Sequence, residues 1–207
     1  MTDIIFVLDE SASMRRYSDA YISGINAFIN TQKQLNPYSS FTMVKFNSNV
    51  TTLCVDSDMH TLPEFTHEHY KPDGITAMYD AIGHVINLKY DETIRKNTVV
   101  FILTDGEDNH SRKFTHSMIS EKINYMKEHG WTFVYIATDQ NAQKIGERMN
   151  INTCLSYSES NMSIAKIAEA CNIAIGHAVA RWTGNENQFS QQEMPTDISD
   201  LMNNLNI

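Results

Sequence analysis

Asp9, Ser11 and Ser13 stand two apart at the end of an apolar run, Ile4-Ile5-Phe6-Val7-Leu8. They place one carboxylate and two hydroxyls where a strand must end. Two more oxygen donors stand in similar settings. Thr76 lies in Gly74-Ile75-Thr76-Ala77-Met78, at an expected helix start, and Asp105 follows the apolar run Thr98-Val99-Val100-Phe101-Ile102-Leu103. Hard oxygen donors of this kind suit a hard cation such as Mg2+, with Mn2+ or Ca2+ as alternatives. If the two apolar runs are neighbouring strands, Asp9 and Asp105 face each other across one crevice. Two carboxylates that close repel unless a cation or a shared proton lies between them.

The elements that must position these groups follow from the hydrophobic pattern. The runs at 4–8 and 98–103 are short, apolar and rich in β-branched residues, as in strands buried on both faces. Ile22, Ile25, Phe28, Ile29 and Leu35 mark a helix capped by Ser18 or Asp19 and stopped at Asn36-Pro37. Residues 41–46 and 50–55 read as strands joined by Asn47-Ser48-Asn49, a hairpin with an antiparallel edge strand. A loop from Asp56 to about Gly74 leads to a helix from near Thr76 that turns Met78, Ile82, Val85 and Ile86 inward. A helix over about 115–129, a strand at 131–137, a short helix capped by Thr138 or Asp139, a brief strand at 153–155 and a helix over about 162–182 complete the body. Alternating strands and helices with one hairpin predict an α/β fold: a doubly wound, Rossmann-like, mostly parallel sheet with one antiparallel edge strand and helices on both faces. In such sheets ligands bind outside the carboxyl ends of the strands.

Asp9-Glu10-Ser11-Ala12-Ser13 resembles the Asp-x-Ser-x-Ser motif of von Willebrand factor type A (vWA) domains. Thr76 resembles that family's metal-site threonine, and Asp105 its third-loop aspartate. The likeness covers about residues 3–182 and is to small, stand-alone bacterial and viral members. It implies a complete metal-ion-dependent adhesion site. Ser11, Ser13 and Thr76 would coordinate through hydroxyls, Asp9 and Asp105 directly or through waters, and an acidic side chain of a partner would take the last position. The resemblance therefore implies a metal-dependent protein-binding module and no enzyme. Its partner would be a protein presenting Asp or Glu, met at a rim of Glu10, Gly74, Ile75, Gly106, Glu107 and Asp108. Specificity would reside in loops 56–75 and 106–114.

Two other functions share the donor set: a Mg2+-dependent phosphoester hydrolase or phosphoryl-transfer enzyme, and a scaffold whose metal is structural. Ser11 stands where haloacid-dehalogenase-like phosphatases carry a second acid, and no P-loop lysine motif is present. Glu10, Asp80, Glu107 and Asp108 read as solvated rim residues or helix caps. The alternative is that they deepen the negative field around the cation. His67-Glu68-His69 lacks a third zinc ligand at proper spacing and reads as loop. Asp139 reads as a helix cap, and Cys54 as a thiol with no base placed beside it.

The chain has 207 residues and a net charge of −9, which argues against nucleic acid and anionic membrane as partners. No apolar run approaches the roughly 20 residues of a membrane span. Three cysteines, Cys54, Cys154 and Cys171, far apart and odd in number, read as free thiols. With no basic segment before the first apolar run, they predict a cytoplasmic location. The composition divides the chain into a body, 1–183, and a polar tail, 184–207. The tail carries one amphipathic pattern, Ile198, Leu201, Met202 and Leu205, which predicts a short docking helix.

Overall fold

A computed structural model describes residues 2–35, 38–90, 97–137, 142–156 and 164–183. The tail, Asn36-Pro37, Thr138 and Asp139 lie outside the described residues. Six strands, β1 (Asp3–Asp9), β2 (Ser40–Phe46), β3 (Val50–Asp58), β4 (Thr98–Thr104), β5 (Trp131–Ala137) and β6 (Thr153–Ser156), form one sheet in the order β3-β2-β1-β4-β5-β6. All neighbours are parallel except β2 and β3. This is the predicted α/β sheet with its antiparallel edge. The helices are α1 (Ser18–Leu35), α2 (Met78–Lys89), α3 (His116–Glu128), α4 (Ala142–Arg148) and α5 (Ile164–Thr183). The strand order reverses at β1, whose two neighbours are β2 and β4. In doubly wound sheets the ligand crevice opens at such a reversal.

Side chains alternate between the two faces of β1 with the strand period of two. Ile4, Phe6 and Leu8 join the core beneath α1 and α5, while Ile5 and Val7 join the core beneath α2 and α3. Every residue of β1 is buried. Phe6 anchors the first core, its ring centroid 4.9 Å from that of Phe28, 5.3 Å from Phe41 and 5.2 Å from Phe101. Burying one such side chain contributes about 1.5–3 kcal/mol. The inward residues predicted for α2, Met78, Ile82, Val85 and Ile86, are all buried. Thr115 caps α3 by accepting the Met118 N–H, and Gly130 follows its end with φ +91°, a conformation that favours glycine.

Two local expectations, at the entry to α1 and the end of β3, need correction. The chain enters α1 through a 3-10 turn, Ala12–Tyr17, and the Ser18 hydroxyl donates to the Arg15 carbonyl rather than capping. α2 begins at Met78, near Thr76 as expected, and no side chain at its own N-cap position caps it. β3 runs to Asp58 instead of ending at Val55. Its polar end stays in the sheet because Ser57 and Asp58 pair with Phe41 and Ser40, and the Asp56 N–H donates to the Thr42 hydroxyl. The β2–β3 register shifts on either side of Met43, and Asp56 has φ +48°.

Lys89, at the end of α2, is buried and ion-paired with Asp3 at 2.9 Å and with Asp56. Asp3 also accepts the Ser40 hydroxyl at 2.8 Å. Gly83 fits α2 beneath Phe114, and a Cβ there would lie 2.5 Å from two ring carbons. Gly83→Ala should therefore lower unfolding free energy by about 1–3 kcal/mol in urea denaturation, through overpacking. Phe114→Leu should restore part of that loss.

Candidate metal centre

β1 ends in a tight turn built by its own aspartate. Asp9 is fully buried, and its Oδ1 accepts the Ser11 N–H at 2.7 Å. This is the Asx turn that aspartate forms where a strand must reverse. Its Oδ2 accepts the Thr104 hydroxyl from β4 at 2.6 Å, and its carbonyl accepts the Tyr70 hydroxyl at 2.6 Å. The turn brings the Ser11 and Ser13 hydroxyls within 3.0 Å of each other. Ser13 then donates to Asp105 Oδ1 at 2.9 Å. Asp9, Ser11, Ser13 and Asp105 are thus joined around one crevice across the β1–β4 boundary. The parallel register, Leu8 opposite Leu103, sets Asp9 level with Thr104 and Asp105 one residue beyond it.

Thr76 is buried and held by its backbone. Its N–H donates to Asn109 Oδ1 at 2.9 Å, and its carbonyl accepts the N–H groups of Asn109 and His110, each at 3.0 Å. The Ala12 N–H donates to the Gly74 carbonyl at 3.1 Å, which ties the Thr76 loop to the serine turn. The Thr76 hydroxyl is not part of the hydrogen-bond chain that joins the other four donors.

Burial pushes the Asp9 carboxyl up from its ordinary 3.8 to about 6, against the lowering effect of the Thr104 and Ser11 hydrogen bonds, and the Asp105 charge adds to the rise. Two acids and three hydroxyls make an all-oxygen donor set. Among the described residues no group of three or more His, Cys, Asp or Glu could hold a metal. The donor chemistry therefore fits a hard cation and not a zinc-type site.

The acidic neighbours have other work. Glu10, expected at the solvated rim, is buried: Lys45 Nζ lies 2.7 Å from its Oε1, which also accepts the Lys71 N–H at 2.6 Å. Lys45 donates in addition to the His69 carbonyl, so the pair clamps the long loop to the end of β1. Asp108 accepts the Tyr79 N–H and so satisfies a first-turn donor of α2 from another loop. Asp80 was expected at the rim or as a cap. Instead it accepts the N–H groups of Arg112, Lys113 and Phe114 and holds their loop. Glu107 is exposed, 3.9 Å from Arg148. Ile75 is 44 % exposed and Gly74 has φ +76°, while the Gly106 carbonyl accepts the Tyr135 hydroxyl at 3.1 Å. His67 pairs with Asp19 and His69 Nδ1 with Thr66, so the two imidazoles are engaged as loop residues. Burial pushes the Cys54 thiol up, away from nucleophilic use.

Thr104, Tyr70 and Lys45 hold the site and were not singled out from sequence. Their only signal is position: Thr104 is the last residue of an apolar strand, and Lys45 is a lone cation within one.

The structure is similar to several solved vWA-fold proteins. Manganese-loaded TRAP from Plasmodium vivax matches at 20% identity and TM-score 0.53, over 72% of this chain and 62% of that one. A von Willebrand factor type A protein from Catenulispora acidiphila matches at 15% and 0.59, over 86% and 43%. The pilus adhesin SpaC from Lactobacillus rhamnosus GG matches at 14% and 0.62, over 87% and 30%. The chain thus spans less than two thirds of each of these three. At such identities the likeness establishes the fold. No curated protein matches. No described helix is long and apolar enough to cross a membrane. Residues 1–150 match the family model described as "VWA domain containing CoxE-like protein", and the chain belongs to that family.

Proposed function

We propose that the chain is a metal-dependent protein-binding module. A divalent cation, Mg2+ with Mn2+ or Ca2+ as alternatives, is held by Asp9, Ser11, Ser13, Thr76 and Asp105. A Glu or Asp side chain of a protein partner completes its coordination. The observation that carries this reading is the run of short contacts from Thr104 through Asp9, Ser11 and Ser13 to Asp105. It gathers two carboxylates and two hydroxyls from separate strands at a point where burial already disfavours an uncompensated Asp9 charge. A cation supplies that compensation and polarises an incoming carboxylate. Hydrogen bonds fix the loops around it, so little ordering is required at capture. The nearby Tyr135 hydroxyl is pushed well above its ordinary value by burial, which suits a hydrogen-bond donor and not a general base. The three unpaired cysteines support a reducing compartment, the cytoplasm.

Fluorescence anisotropy with labelled hexaglutamate as the probe tests this. Binding in Mg2+ should weaken by at least about tenfold in EDTA. Asp105→Ala in Mg2+ should weaken it as much. Equal affinity in Mg2+ and EDTA would overturn the reading.

A further inference from the structure

Beside Thr76 a cleft of about 570 Å3 opens between the Ser48–Val50 turn, the start of α2 and residues 110–114. Its wall adjoins the Thr76 loop of the candidate metal centre. Ala77 in its wall follows Thr76, the His110 N–H donates to the Thr76 carbonyl, and Ser48 Oγ accepts the Ile75 N–H at 3.2 Å. The cleft is lined by His84, His110, Arg112 and Lys113. Lys122 stands at its margin, 3.1 Å from Asn87 Oδ1 and 5.8 Å from the Phe114 ring centroid, both wall residues.

The whole chain carries 25 acids against 16 Lys and Arg, so this concentration of cations inverts the surrounding charge. Asp80 is the one acid among the lining residues, and its carboxylate is occupied. It accepts the N–H groups of Arg112 at 3.0 Å and of Lys113 and Phe114 at 2.9 Å. Burial works against its charge, but these donors and the Lys113 ammonium hold the carboxyl below its usual range. The same contacts fix the loop backbone while leaving the Arg112 and Lys113 side chains exposed. A rigid loop presenting a guanidinium and an ammonium at a cleft mouth is suited to carboxylates, which an Arg fork binds with two parallel hydrogen bonds.

We propose that this cleft binds an acidic stretch of the protein partner, next to the residue whose carboxylate takes the metal. The placement of that first carboxylate rests on the metal-dependent reading; the attraction for the rest of the stretch rests on the cleft's own charge. The cations steer the partner and fix its direction across the site, a contribution that salt screens.

Anisotropy of labelled hexaglutamate on the full chain, at low salt, separates the two parts. Arg112→Gln with Lys113→Gln should weaken binding about tenfold in Mg2+ and flatten its salt dependence. Both side chains are exposed and Asp80 holds the loop through its backbone N–H groups, so the variant should stay folded. Its melting temperature should be lowered by no more than the loss of the Lys113 charge beside Asp80. Lys113→Gln with Lys122→Gln gives a second, weaker arm should the first variant fail to fold. If wild-type affinity were the same in EDTA, the metal reading would fall while the loss in the glutamine variants still supported the cleft. Wild-type affinity in the variants, or no hexaglutamate binding by the wild type, would overturn the cleft proposal. Tighter binding of labelled oligothymidylate than of hexaglutamate, lost in the same variants, would also overturn it and make the ligand a nucleic acid.

Discussion

In EDTA at neutral pH, Asp9→Asn should melt several degrees above the wild-type chain. Asp9 is fully buried, and its carboxyl is raised to about 6 from 3.8. A carboxyl whose folded value exceeds its unfolded value is destabilising when ionised. Its contribution is absent below about pH 4, grows between the two values and is complete above about pH 6. The full cost is on the order of 3 kcal/mol. Asparagine keeps an oxygen for the Ser11 N–H, and the Thr104 hydroxyl can turn to accept from its amide. The two melting curves should therefore converge as pH falls towards 4 and separate above 6. Addition of Mg2+ should raise the wild-type melting temperature and leave Asp9→Asn unmoved. If the variant were no more stable than wild type in EDTA at neutral pH, the electrostatic account of Asp9 would fail.

The second large effect is expected at the opposite end of the sheet. Lys89 is the ionic partner of buried Asp3 and also pairs with Asp56. Lys89→Met keeps the aliphatic bulk but strands a buried carboxylate, a change that costs about 3–5 kcal/mol. Urea denaturation should show this loss with an unchanged slope. Asp3→Asn in the Lys89→Met background should recover part of it, because asparagine still accepts the Ser40 hydroxyl without a charge. A double variant as unstable as Lys89→Met alone would mean that the loss comes from packing and not from the stranded acid.

The architecture was readable because β1, β4 and β5 are buried on both faces, and burial makes their interior positions almost wholly apolar. The gathering of Asp9, Ser11, Ser13 and Asp105 was readable for the same reason: each acid marks where such a strand stops. What escaped was set across strands. Lys45 lies opposite Leu8, which brings it to Glu10, and only that register turns an apparent rim acid into a buried ion pair. Thr104 reaches Asp9 only because β4 neighbours β1. The polar end of β3 escaped because alternation fades there, where Ser40, Thr42 and Lys89 on other elements take up its groups. The partner of α2's first turn also escaped, because that donor is met by Asp108, far along the chain, with no cap residue of its own.

The shifts of register around Met43 and the left-handed Asp56 have a consequence for behaviour in a crowded solution. An outermost strand offers unpaired amides to any extended chain that comes alongside, and a long regular one seeds fibrils. Here the outer rail is bent twice, and Asp56 and Asp58 add negative charge near its end. A second copy laid against it finds no unbroken row of donors and acceptors and meets like charge where the row resumes. These kinks guard the protein against self-templated stacking.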